Sequence, residues 1–524
     1  MFPIGVPARM STTSLCQKPR VRLDYHGRMK HLRKRTPALE YLGYILVLAI
    51  AGATRLWNLH IPQRLVFDET YYVKDALALS QEGHEKRWPD GANPTFESGE
   101  VFGYLSEPAF VVHPPFGKWL IASGMWLLGP ENAAGWRIST ALLGIATVAL
   151  LMLVAFKLFR STKLALAAGF LLAIDGLAIT MSRTALLDAP LTFFLLLGFL
   201  FFLIDNKQSR VRIAYSIQAG KNTLVWFRPW LVLTGLTLGA AAAIKWSGLY
   251  LLAGIGLYVV FSELLLRKNS GEKSWVTRGL FAQGAISFLN LVPISIATYV
   301  FSWIGWINTS DGYSRNWAPE NSLPGIFGAL PNWAQSLWNY HQVIYGFHIN
   351  LSAEHAYQSH PITWLLGFRP TAFFYETYAL GQMGCESETC SSAITALGNP
   401  LIWLSTTVAI AFLVVRYIRS RERIVGLILL GVGALYLPWL AISERTVFQF
   451  YSVSFQPWMI LALVLGLQIL YRALAVTNPR LAKALVVGFF VVAAALSLFF
   501  LPINLGLLVP FDQWQLRMWL PGWI

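Results

Sequence analysis

Apolar residues along this chain gather in runs of about 18 to 25, separated for the most part by short polar stretches. At 1.5 Å of rise per residue, each run as a helix is long enough to cross roughly 30 Å of hydrocarbon. The pattern predicts eleven transmembrane helices, near 41–58, 137–158, 164–181, 188–204, 229–245, 247–266, 279–303, 398–415, 424–441, 447–470 and 484–503. Two connections are long, 59–136 and 304–397, and connections of that length need a reason. The expected organisation is a basic tail (1–40), a membrane domain (41–503) and a C-terminal tail (504–524), in an all-α polytopic membrane protein without internal repeats.

Composition agrees. Of the 524 residues 55% are hydrophobic and only 13% charged, about half the charged share of soluble domains, which excludes a soluble enzyme. With 14% aromatic residues and three cysteines, a disordered chain or a disulfide scaffold is excluded as well. The net charge of +15 would suggest nucleic acid on a soluble protein, but its placement points to lipid. With the N-terminus cytoplasmic, 28 of the 41 Lys and Arg fall on the cytoplasmic side, including His31-Leu-Arg-Lys-Arg35 in the tail. The balance is then +22 inside and −7 outside, so the positive-inside rule puts both long loops outside the cell membrane. The tail reads as cytoplasmic rather than as a cleaved signal, and anionic headgroups suffice as its partner.

Candidate chemistry lies on the outer side. Asp68 and Glu69 are adjacent carboxylates, of which one can raise the pKa of the other and make a general base; the plain alternative is loop charge. His113-Pro-Pro-Phe-Gly-Lys118 forces a rigid turn, with Lys118 either a phosphate contact or part of a helix entry. Arg183, Asp188, Lys245 and Arg445 stand at the outer ends of apolar helices, where charge is costly and marks a site or a pair. Three cations at one leaflet suit a lipid phosphate, while Arg183–Asp188 and Arg445–Glu444 pairing or snorkelling are the structural alternatives. Cys385 and Cys390, with four residues between them, would permit a small disulfide outside or be two unrelated thiols, and Cys16 stands alone. No Cys/His spacing forms a metal site.

Together these residues carry a resemblance. Phe67-Asp-Glu-Thr-Tyr71, His113-Pro-Pro-Phe-Gly-Lys118, Asp175 with Arg183-Thr-Ala-Leu-Leu-Asp188, Lys245-Trp-Ser-Gly248, Leu397-Gly-Asn-Pro-Leu-Ile-Trp403 and Arg445-Thr-Val-Phe-Gln-Phe-Tyr451 occur in the order of protein O-mannosyltransferases, glycosyltransferase family 39. The chain resembles that family from about residue 40 to 470. The second loop is too short for the MIR domain of eukaryotic members, which resembles the actinobacterial type, so the sequons at Asn308 and Asn350 are discounted.

The resemblance implies a GT-C architecture and transfer of mannose from polyprenyl-phosphate mannose to Ser or Thr of exported proteins, with inversion. It implies Asp68 as base with Glu69 holding the acceptor, and Lys245, Arg445 and Arg183, in that order, on the donor phosphate. His113, Lys118, Asp188, Tyr71, Asn399 and Tyr451 would support the site or position substrate. The phosphate leaves as a stable anion, so cations rather than an acid are required. No cofactor is implied, and the sequence leaves a divalent metal open. The aromatic second loop, with Trp303, Trp306, Trp317, Trp333, Trp338 and Trp364, fits a sugar or peptide channel as well as it fits an interfacial belt. An acceptor reaching such a site must be unfolded or flexible, which suggests coupling to the export machinery. A GT-C enzyme with a lipid acceptor and a secondary transporter are the competing classes; the transporter would place charge at the bilayer midplane, not along one face.

Overall fold

Residues 37–221, 223–442 and 444–524 are described by the computed structural model; the basic run and Cys16 lie outside them. The chain divides into two units, Met1–Leu42 and Gly43–Ile524. Of the first, only the start of α1 (Pro37–Leu56) is described.

The first long connection is itself helical. It holds α2 (Glu69–Glu82), α3 (Asn93–Glu97) and α4 (Phe116–Leu128), so it is not an open loop. There follow α5 (Ala133–Phe159), α6 (Thr162–Ile174), α7 (Gly176–Arg183), α8 (Asp188–Gln218), α9 (Pro229–Ala242) and α10 (Gly248–Asn269). A π-helical stretch, Thr277–Gln283, runs directly into α11 (Gly284–Ser302).

The second long connection is also built. It contains α12 (Ile304–Asn308), α13 (Trp317–Glu320) and α14 (Asn332–Asn350), then a hairpin of β1 (Ala372–Ala379) and β2 (Thr389–Thr395). Cys385 and Cys390 are disulfide-bonded in the hairpin, with Cα atoms 5.8 Å apart. The chain ends in α15 (Pro400–Ser420), α16 (Arg423–Ala441), α17 (Gln456–Ala475), α18 (Pro479–Leu505), β3 (Leu508–Pro510) and α19 (Phe511–Gln515).

Three details qualify the expected helical membrane fold. The fold is not purely helical, because the antiparallel sheet β1-β2-β3 forms outside the helices. Residues 504–524 are not a free tail: β3 pairs with β2, and Arg369 donates to the carbonyls of Gly522 (2.9 Å) and Ile524 (3.2 Å). Among the described residues eight helices are long and apolar enough to cross a membrane, nine if α6 and α7 are one broken span, rather than eleven. Of the two expected spans outside the nine, α1 is 20 residues long and the other, α9, only 14. It gains its place by close packing: a Cβ on Gly235 or Gly239 would lie 2.5 Å from a backbone carbonyl of α11, so small residues let the two backbones meet.

The 62° bend between α6 and α7 has a chemical cause. Asp175 leaves the helix with extended backbone and caps α7 through Ala178 N (3.2 Å). Its carboxylate also accepts from Asn399 N (3.0 Å), Trp403 Nε1 (3.0 Å) and Gln456 Nε2 (2.6 Å), gathering the starts of α15 and α17 around the break.

Candidate active site

The site begins with a strained residue. Phe67 has φ 50°, a left-handed conformation that is costly for a bulky side chain. It is held there by rings on three sides: Phe373 stacks at 4.8 Å, and Phe450 and Phe448 meet it edge-on at 5.6 and 5.8 Å. Such packing over-determines the backbone, and it aims the next two residues in different directions.

Asp68 stands at the N-cap position of α2 without a side-chain capping bond and is only partly exposed. Burial pushes its carboxyl up to about 6; the Lys245 charge and a hydrogen bond with the Tyr72 side chain oppose the rise, while Asp188 adds to it. A carboxylate of that strength is a competent proton acceptor near neutral pH.

Glu69 faces inward and is fully buried. Oε1 accepts from Arg137 Nε (2.8 Å) and Ala185 N (2.7 Å), and Oε2 from Arg137 Nη2 (2.8 Å) and Val66 N (3.0 Å). With both oxygens occupied it has no face for an acceptor, so the expected acceptor-holding role is corrected to a structural one. It ties the start of α2 to α5 and to the turn between α7 and α8.

Near Asp68, whose carboxyl feels the Lys245 and Asp188 charges, opens a cavity of ≈ 510 Å³ whose lining includes Asp188, Lys245, His113, His348, Arg445 and Tyr451 but not Asp68 itself. Asp188 opens α8 and accepts from Lys245 Nζ at 2.7 Å, so its partner is not Arg183. The same ammonium lies 5.0 Å from the centre of the Tyr451 ring. Arg445 donates through Nη2 to His348 Nδ1 (3.0 Å) and not to Glu444. Since His348 Nε2 meets the Val112 carbonyl at 3.0 Å, that nitrogen carries the proton and Nδ1 is free to accept. Burial, with Arg445 and Lys245 nearby, holds His348 down to about 4, and burial plus the same cations keeps His113 well below its ordinary value. The imidazoles, 5.5 Å apart, are therefore neutral near pH 7, leaving Lys245 and Arg445 as the cavity's cations. Trp246, Trp439 and Tyr250 form aromatic wall.

Four expected residues stand elsewhere. Arg183 gives its guanidinium to the carbonyls of Thr54, Arg55, Trp57 (2.7 Å) and Asn58, closing the C-terminal end of α1 rather than meeting a phosphate. Lys118 is buried against Glu85 and lies 3.9 Å from Asp75, with no reach to a headgroup. Asn399 caps α15 and donates to Ala493 O and Ser497 Oγ, both at 2.8 Å. Tyr71 points outward at 64% exposure; its neighbour Tyr72 is the tyrosine against Asp68.

The sequence reading missed Tyr72, Arg137 and His348. Tyr72 follows Asp68 by one helical turn, a readable signal. His341 and His348 share a face of α14 by their spacing of seven, but nothing in the spacing says what that face meets. Of the loop tryptophans, Trp303, Trp306 and Trp364 are buried in packing and line no channel. Among the described residues no three His, Cys, Asp or Glu converge as metal ligands would.

Membrane-length helices with a polar cavity beside them fit the GT-C arrangement of membrane glycosyltransferases that the resemblance implies. The S. cerevisiae protein O-mannosyltransferase Pmt1–Pmt2 complex bound to the sugar donor superposes with a TM-score of 0.69 over 93% of this chain and 93% of that one, at 16% identity. Residues 128–307 match the family model described as dolichyl-phosphate-mannose-protein mannosyltransferase, and residues 333–523 match the C-terminal four-TMM region of protein-O-mannosyltransferase. Polyprenol-phosphate-mannose–protein mannosyltransferases of Mycolicibacterium smegmatis and Mycobacterium tuberculosis are each 30% identical over 91% of this chain, covering 92% and 91% of their own lengths. The chain belongs to the protein mannosyltransferase family and is a multi-pass membrane glycosyltransferase.

Proposed function

We propose that this enzyme transfers mannose from polyprenyl-phosphate mannose to Ser and Thr hydroxyls of unfolded or flexible exported proteins, with inversion, on the extracytoplasmic face of the cell membrane. The observation that carries the reading is the pairing of a desolvated carboxyl, Asp68, with a cavity whose cations are Lys245 and Arg445. The donor supplies its own good leaving group. The acceptor oxygen attacks the anomeric carbon as Asp68 takes its proton. The carbon–oxygen bond to phosphate breaks with its electron pair moving to the phosphate, and Lys245 and Arg445 balance that charge. Asp188 holds Lys245, and neutral His348 holds Arg445. Asp188, the carboxylate beside Asp68, is bound to Lys245, and one base acting on the acceptor supports inversion.

The charge asymmetry of the sequence supports the outer face, and the names of the bacterial relatives support the lipid donor and protein acceptor. The test is transfer of labelled mannose from polyprenyl-phosphate mannose to a Thr-containing peptide by purified enzyme, with mass spectrometry of exported proteins from cells with and without the gene. Hexose on Ser and Thr that vanishes with the gene is the expected result. Label reaching only lipid or glycan acceptors would overturn the protein acceptor.

A further inference from the structure

A second cavity, of ≈ 540 Å³, lies between the end of α5, the middle of α8 and the start of α16. Its rim carries Lys157, Arg160, Lys207, Arg212 and Arg423, all exposed, and no carboxylate lines it. Among the described residues none of these five is in an ion pair; Arg212 makes one long contact, 3.4 Å, to the Phe227 carbonyl. Below the rim the wall is apolar, with Leu158, Leu203, Ile204 and Leu427.

Its depth is fixed by helices it shares with the catalytic cavity. On α8, Asp188 lines one cavity and Lys207 the other, about 28 Å apart along a straight helix. On α16, Trp439 and Arg423 give about 24 Å. Those spans approach the roughly 30 Å of bilayer hydrocarbon, so the second cavity sits at the headgroup layer opposite the active site.

We propose that this cavity binds the phosphate of an anionic phospholipid from the leaflet opposite the catalytic one, with an acyl chain along the leucine wall. Cations from three helices, brought close without counter-charge, repel one another, and an anionic headgroup relieves that repulsion as dispersed snorkelling residues would not require. The reacting lipid phosphate belongs at the other cavity, which leaves the bilayer's own phospholipid as the occupant here.

Full-length protein in neutral detergent would be titrated with phosphatidylglycerol or phosphatidylcholine, and retained lipid counted by native mass spectrometry. Retention of phosphatidylglycerol over phosphatidylcholine is expected, with affinity falling at least about tenfold in Lys207→Gln/Arg423→Gln. Adding Lys157→Gln and Arg160→Gln should deepen the loss; if that variant does not purify as a single species, the double variant decides. The control is Arg480→Gln/Lys483→Gln, which removes equal charge from exposed positions on α18 and should retain lipid as the unaltered protein does. Mannosyl transfer by the double variant in detergent should be unchanged. An equal loss in the control, equal retention of phosphatidylcholine, or tighter binding of polyprenyl phosphate abolished by the same substitutions would overturn the proposal.

Discussion

Replacing Glu69 with Gln separates scaffold from catalysis at neighbouring carboxylates. The Glu69 carboxylate receives four hydrogen bonds, two from Arg137, in a fully buried position. Glutamine keeps one acceptor oxygen, sets an NH₂ against two donors, and leaves the Arg137 guanidinium without its counter-charge. Breaking a buried pair from one side costs about 3–5 kcal/mol, a factor of a hundred or more in the folded ratio. Thermal melting of detergent-purified protein should therefore drop sharply and yield should fall, while turnover per folded molecule changes much less. Asp68→Asn should do the reverse. Burial disfavours the charged form of its carboxyl, so melting should hold or rise, whereas transfer to peptide should fall by roughly 10² to 10⁴ at unaltered donor binding. If Glu69→Gln melts normally yet loses turnover as deeply as Asp68→Asn, Glu69 touches the reacting groups and its structural assignment is wrong.

Other consequences follow from the same geometry. With Asp68 titrating at about 6, kcat/KM for peptide should rise roughly tenfold between pH 5 and 7, and a flat profile there would rule out Asp68 as the base. Because that value is raised on folding, the stability Asp68 contributes is full below about 4 and lost as pH climbs through 6, a slope that Asp68→Asn should remove from pH-dependent melting curves. Lys245→Ala and Arg445→Ala should each raise the donor KM by roughly 10- to 100-fold, and unchanged donor KM in both would exclude them from the phosphate. Arg183→Ala should lower yield and melting temperature by freeing the α1 carbonyls; normal yield with weak donor binding would restore it to the site.

The sequence by itself determined the helical membrane architecture and pointed to several residues that the fold gathers at one cavity. Long apolar runs can satisfy their backbone in hydrocarbon only as helices, and charges are rare enough beside such runs that Lys245, Arg445 and Asp188 stood out. The family resemblance added Asn399 and Tyr451 and gave Asp68 its role as the base. What it could not do was distinguish neighbours of the same chemistry. Asp68 and Glu69 are one bond apart in sequence, and so are Tyr71 and Tyr72, yet in each pair one side chain turns toward Asp68's side of the cavity and the other away from it. That choice is made by the Phe67 backbone, which three aromatic rings from two distant segments hold at φ 50°. Likewise Arg183, Lys118 and Lys245 are all cations near helix ends, and only tertiary packing decides what each faces: backbone carbonyls of α1, the buried Glu85, or the cavity. Periodicity and hydropathy report which residues can lie at a boundary; which partner waits there depends on contacts between segments distant in the chain, and no local pattern encodes them.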